Sequence, residues 1–155
     1  MYQRIIVPLD GSERAENALP HAVHLSNVDN ALILLVRVVG YPYLEQGNWS
    51  WALQREAIDQ VVNEESAEAE TYLRAILDRL SADGVSVAYE LRRGAVDRAI
   101  LDDGKPGDVV VIASHGRGGL ARWFLGSVAE DVIRNATVPV LLIRTTSLPA
   151  TTSNQ

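Results

Sequence analysis

At 155 residues, 47% hydrophobic and 22% charged, the chain has the length and composition of a single domain able to bury a sizeable core. Its net charge of −6 argues against broad binding to nucleic acid or anionic membrane, which needs a basic face. The lack of cysteine excludes disulfides and thiolate metal sites, and no apolar run reaches the roughly 18 residues of a membrane span.

The opening MYQRIIVPLDGS passes directly into a strand and turn, so no signal peptide is expected and the cytoplasm is the default location. Ile5, Ile6, Val7 and Leu9 form a run apolar on both faces, which suits a buried parallel strand. Asp10-Gly11-Ser12 closes it. Ser12 is a suitable helix N-cap, followed by Glu13 and Glu16 in the first turn. Ala15, Leu19, Ala22, Val23 and Ser26 follow helical spacing, and Pro20 inside that pattern predicts a kink or an early end. Ala31 to Val39 (ALILLVRVV) is the clearest strand signal in the chain.

YPYLEQGNWSW is irregular, with Pro42 and Gly47. From about Ser50 to Ala82 the pattern is helical, with Ile58, Val61, Val62, Ala69, Leu73, Ile76, Leu77 and Leu80 on one face. Asp83-Gly84 stops it. Val85 to Leu91 alternates like a strand less fully covered than the first two. Gly94 then turns the chain into a short helix over Ala95 to Asp102, and Lys105-Pro106-Gly107 is a clear break.

Val109 to Ile112 is an apolar strand predicted to end at Ala113, where a loop rich in glycine begins. Gly116, Gly118 and Gly119 lie in that loop, which ends at Gly126-Ser127, where an amphipathic helix starts. Strand end, glycine loop and helix N-terminus in succession suit an anion, because exposed N–H groups and the positive end of the helix dipole point there. No Asp or Glu occurs from residue 114 to residue 129, whereas Arg117 and Arg122 both do. The loop therefore reads as a phosphate cradle. Val138 to Arg144 is the last strand, and residues 147–155 read as a flexible polar tail beyond one domain of residues 1–146.

Five strands alternating with helices predict an α/β fold, an open parallel sheet with right-handed crossovers and helices on both faces; the order expected for it is 3-2-1-4-5. Ligands in such sheets sit beyond the carboxyl ends of the strands, where the strand order reverses. Asp10, Val38 and Ala113 would converge there.

Competing nucleotide motifs fit poorly. A P-loop needs Gly-Lys-Ser/Thr, and the only lysine, Lys105, precedes Pro106. Gly116-x-Gly118-x-x-Ala121 mimics a dinucleotide fingerprint, but Val140 to Ile143 stands where its acidic residue belongs. No spaced His/Asp/Glu cluster suggests a structural metal.

IIVPLDGS, LVRVV and above all SHGRGGLARWFLGSVAEDVIRNATVPVLLIR resemble the universal stress protein family over nearly the whole chain, Arg4 to Arg144. The resemblance implies a Rossmann-like fold of the adenine nucleotide alpha hydrolase-like kind. ATP-binding members carry Gly, two residues, Gly, nine residues, then Gly-Ser or Gly-Thr. Gly116 and Gly126-Ser127 keep the nine-residue separation, whereas Ala113 stands at the first glycine. Alanine there could crowd a backbone contact or need a φ it disfavours.

By that resemblance, Pro8 lines the adenine side, Asp10 meets the ribose hydroxyls or the adenine region, and the Val38 backbone meets the adenine edge. Ala113, Ser114, His115, Gly116, Arg117, Gly118 and Gly119 wrap ribose and phosphates, while Gly126, Ser127 and Val128 hold the phosphates. The implied ligand is ATP, AMP or another adenine nucleotide, with any Mg²⁺ arriving on the phosphates.

Structural readings stand beside these. Asp10 also suits a turn, and His115 reads as a packing or hydrogen-bonding residue rather than a base. Arg117 and Arg122 also suit the surface, and Gly126-Ser127 also suits a plain helix start. Trp123 and Phe124 suit a packing or dimer patch, and His21 and His24 suit a helix surface. Tyr43, Trp49 and Trp51 suit either a cleft cover or a partner surface.

The functional expectation is a nucleotide-binding stress-response regulator with slow or no turnover and no catalytic residue. Two alternatives stand beside it: a dimer that works without nucleotide, and an ATPase or adenylyl transferase on the same fold. The resemblance also implies a homodimer through the last strand (Val138, Val140, Leu141, Leu142, Ile143), whose bare apolar edge invites pairing.

Overall fold

The computed structural model describes residues 1–40, 51–101, 104–116 and 126–146. Five strands form one sheet: β1 (Arg4–Pro8), β2 (Leu32–Val39), β3 (Val87–Arg93), β4 (Asp108–Gly116) and β5 (Val140–Thr146). Their order is β3-β2-β1-β4-β5, and all four pairings are parallel, as expected. Strands buried on both faces explain the uninterrupted apolar runs. Odd-numbered Ile5, Val7, Ile33, Leu35, Val109 and Val111 pack in one cluster with Leu19 and Ala22 of α1 (Leu19–Asp29) and Leu73, Ile76 and Leu80 of α2 (Trp51–Ala82). Even-numbered Ile6, Leu34, Val36, Val110 and Ile112 pack on the other face with Ile100 of α3 (Val96–Leu101) and Ala129 and Val132 of α4 (Ser127–Asn135). The period of two along each strand thus sorts the helices into two layers.

Pro20 causes no kink and ends nothing. It lies at the start of α1, where its missing N–H would have no intrahelical acceptor. The preceding residues form a separate 3-10 turn, Ala15–Ala18. Ser12 introduces that turn instead of capping α1: its hydroxyl accepts the Ala15 N–H at 3.2 Å. Asn30, in the left-handed region at φ 55°, closes α1, and its N–H reaches the Ser26 carbonyl.

Three strand ends also differ from expectation. β4 runs on through Ala113 to Gly116, because Ala113, Ser114, His115 and Gly116 are in register with Ile143, Arg144, Thr145 and Thr146 of β5. β5 begins at Val140 because Pro139 can supply only its carbonyl, which accepts the Val110 N–H at 2.9 Å. β3 starts at Val87, two residues after the expected start at Val85. Among the described residues, no helix is long and apolar enough to cross a membrane.

Candidate functional site

The carboxyl ends of β1, β2 and β4 open into a cavity of about 470 Å³. β1 contributes Pro8, and the turn after it contributes Asp10 and Ser12; β2 contributes Val36, Arg37 and Val38; β4 contributes Ile112, Ala113 and Ser114. Gly126, Ser127 and Val128 enter from the start of α4. This is the switch point of the strand order, where β1 is flanked by β2 on one side and β4 on the other.

The turn after β1 is built around a carboxylate. Asp10 Oδ1 accepts the Ser12 N–H at 2.9 Å and the Ser12 hydroxyl at 2.6 Å. Partial burial works against ionisation of Asp10, but the Ser12 bonds and the Arg37 charge prevail and hold its carboxyl below the ordinary 3.8. Gly11 turns the chain at φ +86°, and a Cβ there would lie 2.5 Å from Arg37 Nη1. The guanidinium of Arg37 therefore rests against the Gly11 backbone. It also lies over the Tyr72 ring of α2, 5.9 Å from the ring centroid. Tyr72 donates its hydroxyl to Glu16 Oε1 at 3.2 Å, and Arg79 donates to Glu16 Oε2, also at 3.2 Å. Burial and the Glu16 charge push the Tyr72 hydroxyl up. The 3-10 turn, α2 and the tip of β2 are thereby tied together beside the cavity.

At the opposite flank, α4 begins without a side-chain cap. Its first turn therefore presents N–H groups that have no intrahelical acceptor, at the positive end of the helix dipole. Gly126 has φ −53° and ψ 148°, a conformation open to any residue, and a Cβ built on it meets nothing within 4 Å. Neither backbone nor packing within the described residues requires glycine there. What its missing side chain leaves is room beside the uncapped helix start.

Of the residues singled out from sequence, Pro8, Asp10, Val38, Ala113, Ser114, Gly126, Ser127 and Val128 meet in this cavity. Ala113 is regular strand paired with Ile143, and the only non-glycine residue with positive φ among those described is Asn30. Alanine thus needs no disfavoured φ at position 113. The expectation that β4 ends at Ala113 is corrected, because His115 and Gly116 continue the strand instead of opening a loop. Arg117, Gly118 and Gly119, with Arg122, Trp123, Phe124, Tyr43 and Trp49, lie outside the described residues. His21 and His24 are exposed on α1. Among the described residues no group of acidic or histidine side chains could hold a metal ion.

Arg14, Arg37, Glu65, Val96 and Ile100 also line the cavity and were missed. Arg37 had a legible signal, a charge near the carboxyl end of an otherwise apolar strand. Val96 and Ile100 are four residues apart, hence on one face of α3. Glu65 is one of several acidic residues on α2 and carries no distinguishing mark.

A model described as the universal stress protein family matches residues 1–144. Universal stress protein MJ0531 of Methanocaldococcus jannaschii is 31% identical over 150 residues, spanning 93% of this chain and 83% of its own. The solved structure of the hypothetical protein MJ0577 is similar at TM-score 0.76 and 26% identity, covering 96% of this chain and 99% of its own. A universal stress protein solved in complex with cAMP is similar at TM-score 0.66 and 25% identity, covering 94% and 99% of the two chains.

Proposed function

The chain belongs to the universal stress protein family, and from that membership and the cleft we propose that it is a stress-response regulator binding ATP or a related adenine nucleotide. The observation that carries this reading is Gly126: a glycine with no conformational need, beside an uncapped helix start, at the switch point of a parallel sheet. A relative of the same fold binding cAMP supports an adenine ligand. The Val38 backbone meets the adenine edge, Pro8 lines the same side, and Asp10 accepts from ribose hydroxyls. The N–H groups of Ser127 and Val128, with the Ser127 hydroxyl, take phosphate oxygens in the space left by Gly126. Ala113 and Ser114 at the end of β4 line the ligand between these ends, and Mg²⁺ enters with the phosphates.

Turnover is slow or absent. A general base works best with a pKa near the operating pH, whereas Asp10 is held below its ordinary value. It is a good acceptor and a weak base. The protein works as a cytoplasmic homodimer, with β5 strands of two copies facing each other across the sheet edge. Leu141 is 38% exposed there, flanked by half-buried Val140, Leu142 and Ile143 and following half-buried Val138. A monomer by light scattering at micromolar concentration would defeat the dimer.

The test of nucleotide binding is calorimetric titration of the stripped protein with ATP, with and without Mg²⁺, beside Gly126→Val. Binding is expected, weakened at least about tenfold by the variant, which corresponds to about 1.4 kcal/mol. Equal affinity in a folded variant, or no binding by the natural chain, would overturn the reading.

A further inference from the structure

We infer that Arg37 forms a second anion-binding group in the cleft, selecting nucleotides that carry a phosphate on a ribose hydroxyl. The inference rests on the nucleotide-binding reading and narrows its ligand class. Arg37 lines the cavity from the carboxyl end of β2, and the uncapped start of α4, which follows β4 in the chain, lines it as well. β1, with Asp10 just after it, stands between β2 and β4. Both groups border the same cavity of about 470 Å³, Arg37 from the side of α2 and residues Gly126, Ser127 and Val128 from the side of α4. One bound nucleotide can therefore present a 5′-phosphate to α4 and its ribose edge to β2.

The guanidinium is held but not satisfied. Tyr72 lies under it and Gly11 beside it. No acceptor or carboxylate among the described residues lies within hydrogen-bonding or ion-pairing distance of Arg37. A planar group with its orientation set and its donors unspent matches a phosphate bidentately at low entropic cost. Asp10 explains why the anion belongs on the ribose. Its carboxylate accepts from one ribose hydroxyl, and the neighbouring Arg37 charge offsets the repulsion that an ester phosphate on the other hydroxyl would meet. Dinucleotide folds use the same chemistry when an arginine near the ribose takes a 2′-phosphate.

The experiment is calorimetric titration with AMP, ADP, adenosine 3′,5′-bisphosphate and adenosine 2′,5′-bisphosphate. ADP matches the bisphosphates in phosphate number but carries none on the ribose. One of the two bisphosphates should bind at least about tenfold tighter than AMP, as expected for an added charge-assisted pair. Arg37→Gln should bring that ratio close to one while changing the ADP-to-AMP ratio less than about twofold. If Arg37→Gln fails to fold, Arg37→Met carries the same test, since it keeps an unbranched stem on Tyr72 without the charge. Nucleotide binding with no bisphosphate advantage, or an advantage that survives loss of the guanidinium, would overturn the inference alone. No binding of any of the four, nor of ATP, would overturn the nucleotide reading with it.

Discussion

Arg4 and Asp108, at the amino ends of β1 and β4, satisfy each other, whereas Asp10 and Arg37, at the carboxyl ends of β1 and β2, do not. Arg4 donates to Asp108 through Nη2 at 2.6 Å and Nε at 3.1 Å, and Asp108 also accepts the Lys105 N–H at 2.8 Å. Burial of Asp108 works against its charge, but these bonds prevail and hold its carboxyl below the ordinary 3.8. At the other end of the sheet, among the described residues, Asp10 bonds only to its own turn, Arg37 lies on an aromatic ring, and α4 starts without a side-chain cap. The same kinds of group therefore serve stability at one end and remain available to a ligand at the other. Polar groups left unmatched by the protein gather where a ligand can match them.

Asp108→Asn should break this contrast most strongly. It removes the charge from the carboxylate of the largely buried Arg4–Asp108 pair, a loss of about 3 kcal/mol in urea unfolding, with ATP affinity unchanged. Asp10→Asn should do the reverse. Its amide oxygen can still accept both Ser12 bonds, so unfolding should shift by less than about 0.5 kcal/mol. Loss of the charged acceptor should weaken ATP binding about tenfold, or about 1.5 kcal/mol by titration.

Acid should sharpen the comparison from a different side. Both carboxyls titrate below 3.8 in the folded protein, so the unfolded chain binds protons first as pH falls. The stability they contribute is present above 3.8 and is lost as pH drops through the lowered folded values. Unfolding free energy measured from pH 5 to pH 2.5 should fall more steeply for the natural chain than for Asp108→Asn. Parallel curves would show that the Arg4 pair does not carry the amino end. The smallest effect belongs to Arg134→Ala on α4, whose pair with Glu130 at 2.8 Å is exposed at both members, 70% and 50%. Thermal unfolding should register less than about 0.5 kcal/mol.

Much of the cleft could be read before any fold was known. Asp10-Gly11-Ser12 after an apolar strand, and Gly126-Ser127 before an amphipathic helix, are local signals whose chemistry is written in neighbouring residues. Arg37 was harder to interpret. Its charge stands out in ALILLVRVV, but its meaning depends on Tyr72 and Gly11, which are distant in the chain. Pro20 was misread because helical spacing runs continuously through the 3-10 turn and α1. Only the folded backbone, a 3-10 turn over Ala15–Ala18 and an α-helix over Leu19–Asp29, shows where one ends and the next begins. The end of β4 was misplaced for a related reason. Ala113 to Gly116 lack the apolar character of a buried strand, and it is pairing with β5 that extends them.

By itself the sequence determined the alternation of five strands and their helices, and with it a parallel sheet whose carboxyl edge carries the candidate site. Apolar periodicity and turn residues act over a few positions, and right-handed crossovers leave few ways to assemble the pieces. Only the tertiary structure decided which charges are matched. Arg4 met Asp108 because β1 and β4 are adjacent, and Arg37 met Tyr72 because α2 packs across the tip of β2. Such meetings depend on packing between residues far apart in sequence, which no local pattern encodes.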